Sequence, residues 1–181
     1  MKIEFSLDLK DYLEHQLYTA SKSKRISNKK RNTWLILTAS IIILAFFNFN
    51  KEDKLLFYYF LVFALITFIF YPFYQRKQYK THYTKHIEEH YFNRFGQEST
   101  LNFEEECIAS NDANFETKMN YVAFEELNEI KNYYFIKLKT GGSIIIPKNK
   151  LKNSEEFHKE INKIADTFNW KKNVELDWKW N

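Results

Sequence analysis

The sequence predicts an α+β membrane protein, in which a transmembrane helical hairpin is joined to an antiparallel β domain closed by a C-terminal helix. Two stretches without a charged residue, 33–49 and 55–75, predict the hairpin. Beyond residue 99 the apolar residues recur at every second position instead of every fourth, which predicts strands. The chain therefore divides into a strand and amphipathic helix over 1–32, the hairpin over 33–75, a juxtamembrane helix over 76–98 and the β domain over 99–181.

The first segment begins with alternating polar and apolar residues from Lys2 to Leu7, a pattern that predicts a short strand. Asp8 suits the N-cap of a following helix, and Asp11 lies in its first turn. The helix would carry an apolar stripe at helical spacing, which consists of Leu9, Tyr12, Leu13 and Leu17.

The two charge-free stretches are long enough to cross a bilayer as helices. At a rise of about 1.5 Å per residue, 33–49 covers roughly 25 Å and 55–75 roughly 31 Å. In lipid the backbone must satisfy its own hydrogen bonds, which favours helices despite the many β-branched and aromatic residues. Neither stretch contains an acidic or basic side chain at depth, so the pair is predicted to be an anchor, and a homo-oligomer is compatible with it.

An excess of positive charge flanks only one end of the predicted hairpin. Lys29, Lys30 and Arg31 precede the first span, Arg76 and Lys77 follow the second, and the loop over 51–54 has no net charge. Because positive residues are retained on the cytoplasmic side, both termini are expected in the cytoplasm and a short turn outside. The predicted location is the cytoplasmic membrane, with the lipid bilayer as the first partner.

The charge distribution disfavours nucleic-acid binding. The chain has a net charge of +4, but residues 75–181 hold 17 basic and 17 acidic residues, so no basic surface is expected on the β domain. The single cysteine, Cys107, excludes an intrachain disulfide and is predicted to be a small strand residue.

Three histidines follow the second span at intervals of four. His82, His86 and His90 would share one face of a helix that continues out of the membrane to about Gly96, and three imidazoles on one face can bind zinc. His86 to His90 also matches H-x-x-E-H, with Glu89 as a potential base. The favoured alternative is a solvated helix face, because aromatic and aliphatic residues recur beside the histidines with the same spacing.

Several short strands and one helix are predicted in the β domain. Strands are expected at 101–103, 107–110, 115–121, 133–139 and 143–146, with Phe115 and Thr117 on the face opposite Lys118 and a tight turn at Gly141-Gly142. Ser154 is the predicted N-cap of the last helix, whose apolar face consists of Phe157, Ile161, Ile164, Ala165 and Phe168. The tryptophan-rich tail over 170–180 would pack on the core, lie at the bilayer interface or contact a partner.

The hydrophobic segment from Tyr133 to Leu138, the Gly-Gly turn, and Ile144 to Lys148 resemble the YcxB-like family of bacterial membrane proteins, and the likeness extends over most of the chain. The resemblance implies a pleckstrin-homology-like β-barrel capped by a helix. Such domains often have Trp before the short middle strand, where this sequence has Tyr121. The resemblance implies no catalytic or binding residue.

The sequence favours an interaction protein over an enzyme. Glu104 to Glu106, at the first strand connection, would repel a phosphoinositide headgroup, and with only three glycines the chain offers no phosphate-binding loop. We therefore predict no catalytic residue and no cofactor. The predicted function is a membrane-anchored module of the bacterial cytoplasmic membrane that binds a protein partner, and the alternative is a metal-dependent membrane enzyme or metal-binding protein using His82, His86, Glu89 and His90.

Overall fold

The computed structural model describes residues 1–112 and 115–180. These residues form four α-helices and two four-stranded sheets. The chain divides into two compact units, which we call the β unit (1–15 with 86–179) and the hairpin unit (16–85 with Trp180). The prediction of a mixed α+β chain is confirmed.

The first sheet joins the N-terminal strand to three strands from beyond residue 97. Its strands are β1 (Lys2–Ser6), β2 (Glu98–Phe103), β3 (Cys107–Asp112) and β4 (Phe115–Asn120), all antiparallel and in that order. The side chain of Phe115, predicted to share a face with Thr117, lies outside the described residues. Tyr121 belongs to the turn after β4, not to the strand, and its buried ring joins the core.

The second sheet contains two strands that the sequence analysis missed. Its order is β7–β6–β5–β8, with β5 (Phe124–Ile130), β6 (Tyr133–Leu138), β7 (Ser143–Pro147) and β8 (Lys171–Glu175). A shift of register between Phe124 and Glu126 interrupts the alternation of β5, so Phe124 and Leu127, which are three positions apart, both pack in the core. The predicted turn between β6 and β7 is confirmed, with Gly141 at φ 102°.

The C-terminal helix α4 (Ser154–Thr167) packs on both sheets. Phe157, Ile161 and Ala165 are buried on its predicted apolar face. The predicted N-cap is corrected from Ser154 to Asn153, whose side-chain oxygen accepts a hydrogen bond from the backbone N–H of Glu156. At the other end Asn169 adopts a left-handed φ of 55°, which turns the chain from α4 into β8.

The remaining long helices form the hairpin unit and its continuation. They are α2 (Lys24–Phe47) and α3 (Leu55–Tyr91), after the N-terminal helix α1 (Leu9–Lys22). The indole N–H of Trp34 on α2 donates to the carbonyl of Phe68 on α3 at 3.1 Å, and Ala45 and Ala64 are buried in the hairpin unit. Both α2 and α3 are long and apolar enough to cross a membrane, which is weak evidence of membrane association.

The β unit contains a histidine, His15, whose protonation opposes folding. His15 on α1 lies edge-to-face on Phe135, with 5.1 Å between ring centroids, and burial lowers the pKa of its imidazole to about 4. Because an unfolded histidine binds its proton near pH 6.5, the unfolded chain takes up more protons than the folded chain between pH 6.5 and pH 4.

We expect the stability of the β unit to fall as the pH drops through this window. Acidification from pH 7 to about 4.5 should lower the free energy of unfolding by about 2 kcal/mol more in the wild type than in His15→Gln, because the amide does not titrate. Urea unfolding in detergent micelles at the two pH values measures the difference. An equal loss in both proteins would show that other groups cause the acid sensitivity.

Candidate functional site

A groove of about 340 Å³ lies in the β unit beside strand β1. One wall is the edge strand itself, from Met1 to Glu4, and the other is the segment from Lys150 to Asn153 that leads into α4. Glu156 and Phe157, from the first turn of α4, complete the lining. The groove thus lies where a sheet edge faces a neighbouring segment of the chain.

Strand β1 directs half of its backbone polar groups away from β2, at the sheet edge beside this groove. Met1 and Phe103 exchange both backbone hydrogen bonds, at 3.0 and 2.8 Å, so in the antiparallel register Ile3 and Phe5 also bond to β2. The N–H and C=O groups of Lys2 and Glu4 therefore point away from the sheet. Over the described ranges 1–112 and 115–180, no strand pairs with this edge.

A charged network holds the far wall of the groove in place. The ammonium of Lys150 donates to the carbonyl of Ser6 at 2.5 Å, to Asp11 Oδ2 at 3.0 Å and to Asp8 Oδ2 at 3.1 Å. The hydroxyl of Tyr133 on β6 donates to the other Asp11 oxygen at 2.8 Å. Asp11 is only 5% exposed, so one buried carboxylate connects α1, β6 and the segment that forms the groove wall.

The pKa shifts in this network follow from burial and from the two carboxylates. Burial acts to lower the pKa of Lys150, but its hydrogen bonds to Asp11 and Asp8 outweigh that effect and raise the pKa above its usual range. Burial and the hydrogen bond to Asp11 raise the pKa of Tyr133. Lys150 therefore stays charged and Tyr133 neutral at physiological pH.

The groove combines an apolar lining with a charged rim. Ile3, Leu151 and Phe157 provide the apolar surface, and Lys2 and Glu4 form an exposed ion pair with 2.6 Å between nitrogen and oxygen. Among the described residues, the lining includes no Ser, Thr, Cys or His. This arrangement suits an extended peptide that bonds to the backbone of β1 and inserts an apolar side chain, which is the mode of β-strand addition.

A second polar cluster joins α4 to the second sheet. Glu129 on β5 accepts from Lys148 at 2.5 Å, and its other oxygen lies 3.6 Å from His158 Nδ1. The hydroxyl of Tyr134 lies 2.9 Å from the same nitrogen. A shallow depression of about 290 Å³ is lined by Tyr134, His158 and neighbouring residues of α4. The cluster satisfies buried polar groups between β5, β6 and α4.

The predicted metal ligands are exposed on α3. His86 and His90 come together, with 4.2 Å between ring centroids, and His90 Nδ1 lies 2.9 Å from the carbonyl oxygen of His86. His82 lies against Tyr83, and Glu89 is exposed. In the described part of the chain, no group of three or more His, Cys, Asp or Glu side chains is arranged to hold a metal ion. Metal binding stays a prediction.

The predicted flanking cations gather at one end of the hairpin unit. Lys29, Arg31, Arg76 and Lys77 are exposed, whereas Lys30 is half-buried. The amide of Gln75 donates to the Lys30 carbonyl at 3.2 Å, which joins the basic parts of α2 and α3. Trp180 packs at the same end, since its indole N–H donates to the carbonyl of Arg76 at 3.2 Å.

The other residues that the sequence analysis singled out have local structural roles. Cys107 opens β3 as predicted, and its thiol donates to Glu104 at 3.2 Å, a contact that raises the pKa of the thiol. Among the tryptophans of the tail, Trp170 is buried in the core of the β unit and donates to the Tyr121 carbonyl at 2.9 Å. Core packing, one of the three open alternatives, therefore applies to Trp170.

The sequence analysis missed the groove and the network around Lys150. Lys150 and Asp11 are 139 positions apart in the chain, so no local pattern connects them. The one available signal was the alternation from Lys2 to Leu7, which predicted strand β1 but not its neighbours. The pairing of β1 with β2 brings the N-terminal segment into the β unit, where Asp11 contacts Lys150.

Comparison with known proteins identifies the central part of the β unit. No curated protein and no solved structure matches the chain. Residues 103–164 match the family model described as YcxB-like protein, a region that covers β3 to β7 and most of α4. The chain therefore contains a YcxB-like domain, as the strand motifs around the Gly-Gly turn predicted.

Proposed function

We propose that this protein is a membrane-anchored interaction module of the bacterial cytoplasmic membrane, and that its β unit binds a protein partner through the groove beside β1. The hairpin would hold the module at the membrane, with both termini in the cytoplasm. The observation that carries the proposal is the unpaired edge of β1, which faces a groove with an apolar lining.

The pairing of β1 with β2 supports a hairpin that crosses the membrane and returns. β1 precedes both long helices in the chain and β2 follows them, yet the two strands are hydrogen-bonded neighbours from Lys2–Asn102 to Ser6–Glu98. Two paired strands must lie on the same side of a bilayer, so the chain between them crosses an even number of times. The cations at one end of the hairpin favour the cytoplasm for that side.

We further infer a pleckstrin-homology-like arrangement for the β unit. Its support is a pair of sheets with largely antiparallel strands and α4 packed on a core shared by both. Two strands, β1 and β8, are additional to that arrangement. Strand β1 comes from before the long helices, and β8 follows α4 and pairs with β5 in parallel.

Photo-crosslinking in native membranes tests the groove. A photo-crosslinking residue at Lys152, on the exposed rim, should give a discrete adduct with a partner protein. Glu4→Pro should reduce that adduct roughly five- to tenfold, because proline removes an outward N–H from β1 and leaves its bonds to β2 intact. The yield of the adduct on an immunoblot is the measurement.

The matched control is Glu116→Pro on β4, the opposite edge of the same sheet. Glu116 is exposed. The Tyr121 N–H donates to the Glu106 carbonyl, so in the antiparallel register of β3 and β4 the N–H of Glu116 points away from β3, just as the N–H of Glu4 points away from β2. An adduct that survives Glu4→Pro, or one that Glu116→Pro removes equally, would rule out the β1 groove as the binding site. Thermal unfolding of both variants reports whether they are folded.

A further inference from the structure

The strongest charge asymmetry of the molecule lies within the hairpin unit. Residues 16–50 contain six basic residues, all of them before the first span, and no acidic residue. Residues 76–85 add four more basic residues, again without an acidic one, whereas 51–54 sum to zero. All ten cations thus flank one end of the two antiparallel helices.

Six of these cations, which we call the basic collar, lie next to the apolar parts of α2 and α3. They are Lys29, Lys30, Arg31, Arg76, Lys77 and Lys80. Five are exposed, and over the described residues Lys29, Arg31, Arg76, Lys77 and Lys80 have no acidic side chain within salt-bridge distance. Arg76 and Lys80 even stand one helical turn apart, a spacing at which like charges repel.

Aromatic rings organise the centre of the collar. The ammonium of Lys30 lies 4.6 Å from the centre of the Trp180 ring and 6.0 Å from that of Tyr79. The Trp180 indole donates to the Arg76 carbonyl, which brings Lys30 and Arg76 to the same aromatic side chain. Tryptophan and tyrosine beside cations are typical of the level at which lipid headgroups meet the hydrocarbon.

The residues beyond the collar have the surface expected of lipid-facing helices. Ile36 is 66% exposed and Phe73 65% exposed, and each lies within two turns of a collar cation in the chain. An exposed apolar surface directly beside five exposed cations that lie within salt-bridge distance of no described acidic side chain matches one environment: hydrocarbon bordered by negatively charged headgroups.

We propose that the basic collar binds anionic phospholipid headgroups and enriches them around the hairpin. The lipid phosphates would neutralise the repulsion among the collar cations, and Lys30 with Trp180 and Tyr79 would hold the headgroup nearest the helices. The proposal rests on the membrane placement of the hairpin but not on the partner-binding groove of the β unit.

Energy transfer from tryptophan to dansyl-labelled lipid tests the proposal in the full chain. The protein is reconstituted in phosphatidylcholine vesicles containing a trace of dansyl-phosphatidylglycerol or dansyl-phosphatidylcholine. We expect transfer to show roughly tenfold enrichment of the anionic lipid over the neutral one, and about 0.5 M NaCl should remove most of it. Equal transfer to both lipids would overturn the proposal.

Two variants distinguish lipid binding by the collar from a general effect of the protein's net charge. K29Q/R31Q/K77Q/K80Q should lose most of the enrichment, while K131Q/K139Q/K163Q/K171Q, which removes four exposed lysines of the β unit, should keep it. A loss of equal size in both variants would overturn the collar as the binding surface. A chain that fails to remain with vesicles of either composition would overturn the membrane placement and the lipid proposal together, whereas loss of the crosslinked partner alone affects only the groove.

Discussion

Replacing Asp11 by Ala is expected to lower the free energy of unfolding of the β unit by about 3 kcal/mol. Asp11 is a buried carboxylate that accepts from Lys150, from Tyr133 and from the backbone N–H of Asp8. Its removal leaves a lysine ammonium and a buried hydroxyl without their partner, which is more costly than never having formed the pair. Urea unfolding in detergent micelles, followed by circular dichroism, measures the loss.

Asp8→Ala is the matched control for this prediction. Asp8 also lies within 3.1 Å of the Lys150 ammonium, but its side chain is 64% exposed, so the loss should be below about 1 kcal/mol. The double variant Asp11→Leu/Lys150→Met should recover part of the stability lost in Asp11→Ala, because neither charge is then left unpaired. Equal effects of Asp8→Ala and Asp11→Ala would show that burial of the carboxylate does not govern the network.

Because the network holds the far wall of the groove, the same variant also tests the proposed function. Asp11→Ala should weaken crosslinking from Lys152 more strongly than it weakens crosslinking from Lys139, at the tip of the β6–β7 turn. An equal loss of crosslinking at the two positions would show that the network around Lys150 does not affect partner binding at the groove.

Trp170→Ala is expected to destabilise the β unit by about 4 kcal/mol. The Trp170 ring is 5% exposed and packs between Phe124 and Tyr121, with ring centroids 5.3 and 6.0 Å away. Truncation to Ala would leave a cavity among aromatic rings and also remove the hydrogen bond to the Tyr121 carbonyl. The midpoint of urea unfolding and its slope give the change in free energy.

Trp170→Phe should lie between the wild type and Trp170→Ala, because it retains an aromatic ring and loses the indole N–H. Val122→Ala, a substitution at a residue that is 61% exposed, should change the free energy of unfolding by less than about 0.5 kcal/mol. A loss below about 1 kcal/mol for Trp170→Ala would contradict the assignment of this residue to the core.

The elements that the sequence analysis predicted correctly are those with a regular local pattern. The charge-free stretch 55–75 lies within α3, and 33–49 lies in α2 except for its last two residues, since α2 ends at Phe47. The stripe that includes Phe157 and Ile161 is the buried face of α4. The strands on either side of Gly141 follow from apolar residues and a turn that tolerates positive φ. In each case neighbours along the chain provide the whole signal.

The two missed strands, β5 and β8, contain polar and charged residues that are explained only by the positions of these strands in the sheet. In β5, the adjacent polar residues Asn128 and Glu129 are both buried, although polar side chains are ordinarily expected at the surface. Asn128 accepts from Asn173 on β8, and Glu129 pairs with Lys148, so the polar groups are satisfied across the sheet. Strand β8 begins with two exposed lysines and, among the described strands, pairs only with β5, which is typical of a charged edge.

Local sequence patterns were sufficient to predict two apolar helices with a basic flank and an α+β composition, because hydrophobic period, charge and turn residues act between near neighbours. The YcxB-like domain was predicted from a family resemblance, which the match over residues 103–164 supports. The three-dimensional fold was needed to show that β1 completes the first sheet, that Asp11 contacts Lys150 and Tyr133, and that a groove lies beside an open strand edge. The contacts of Asp11 join residues more than a hundred positions apart. Their formation depends on strand pairing and on the burial of charge across the whole unit, which a local window of sequence does not contain.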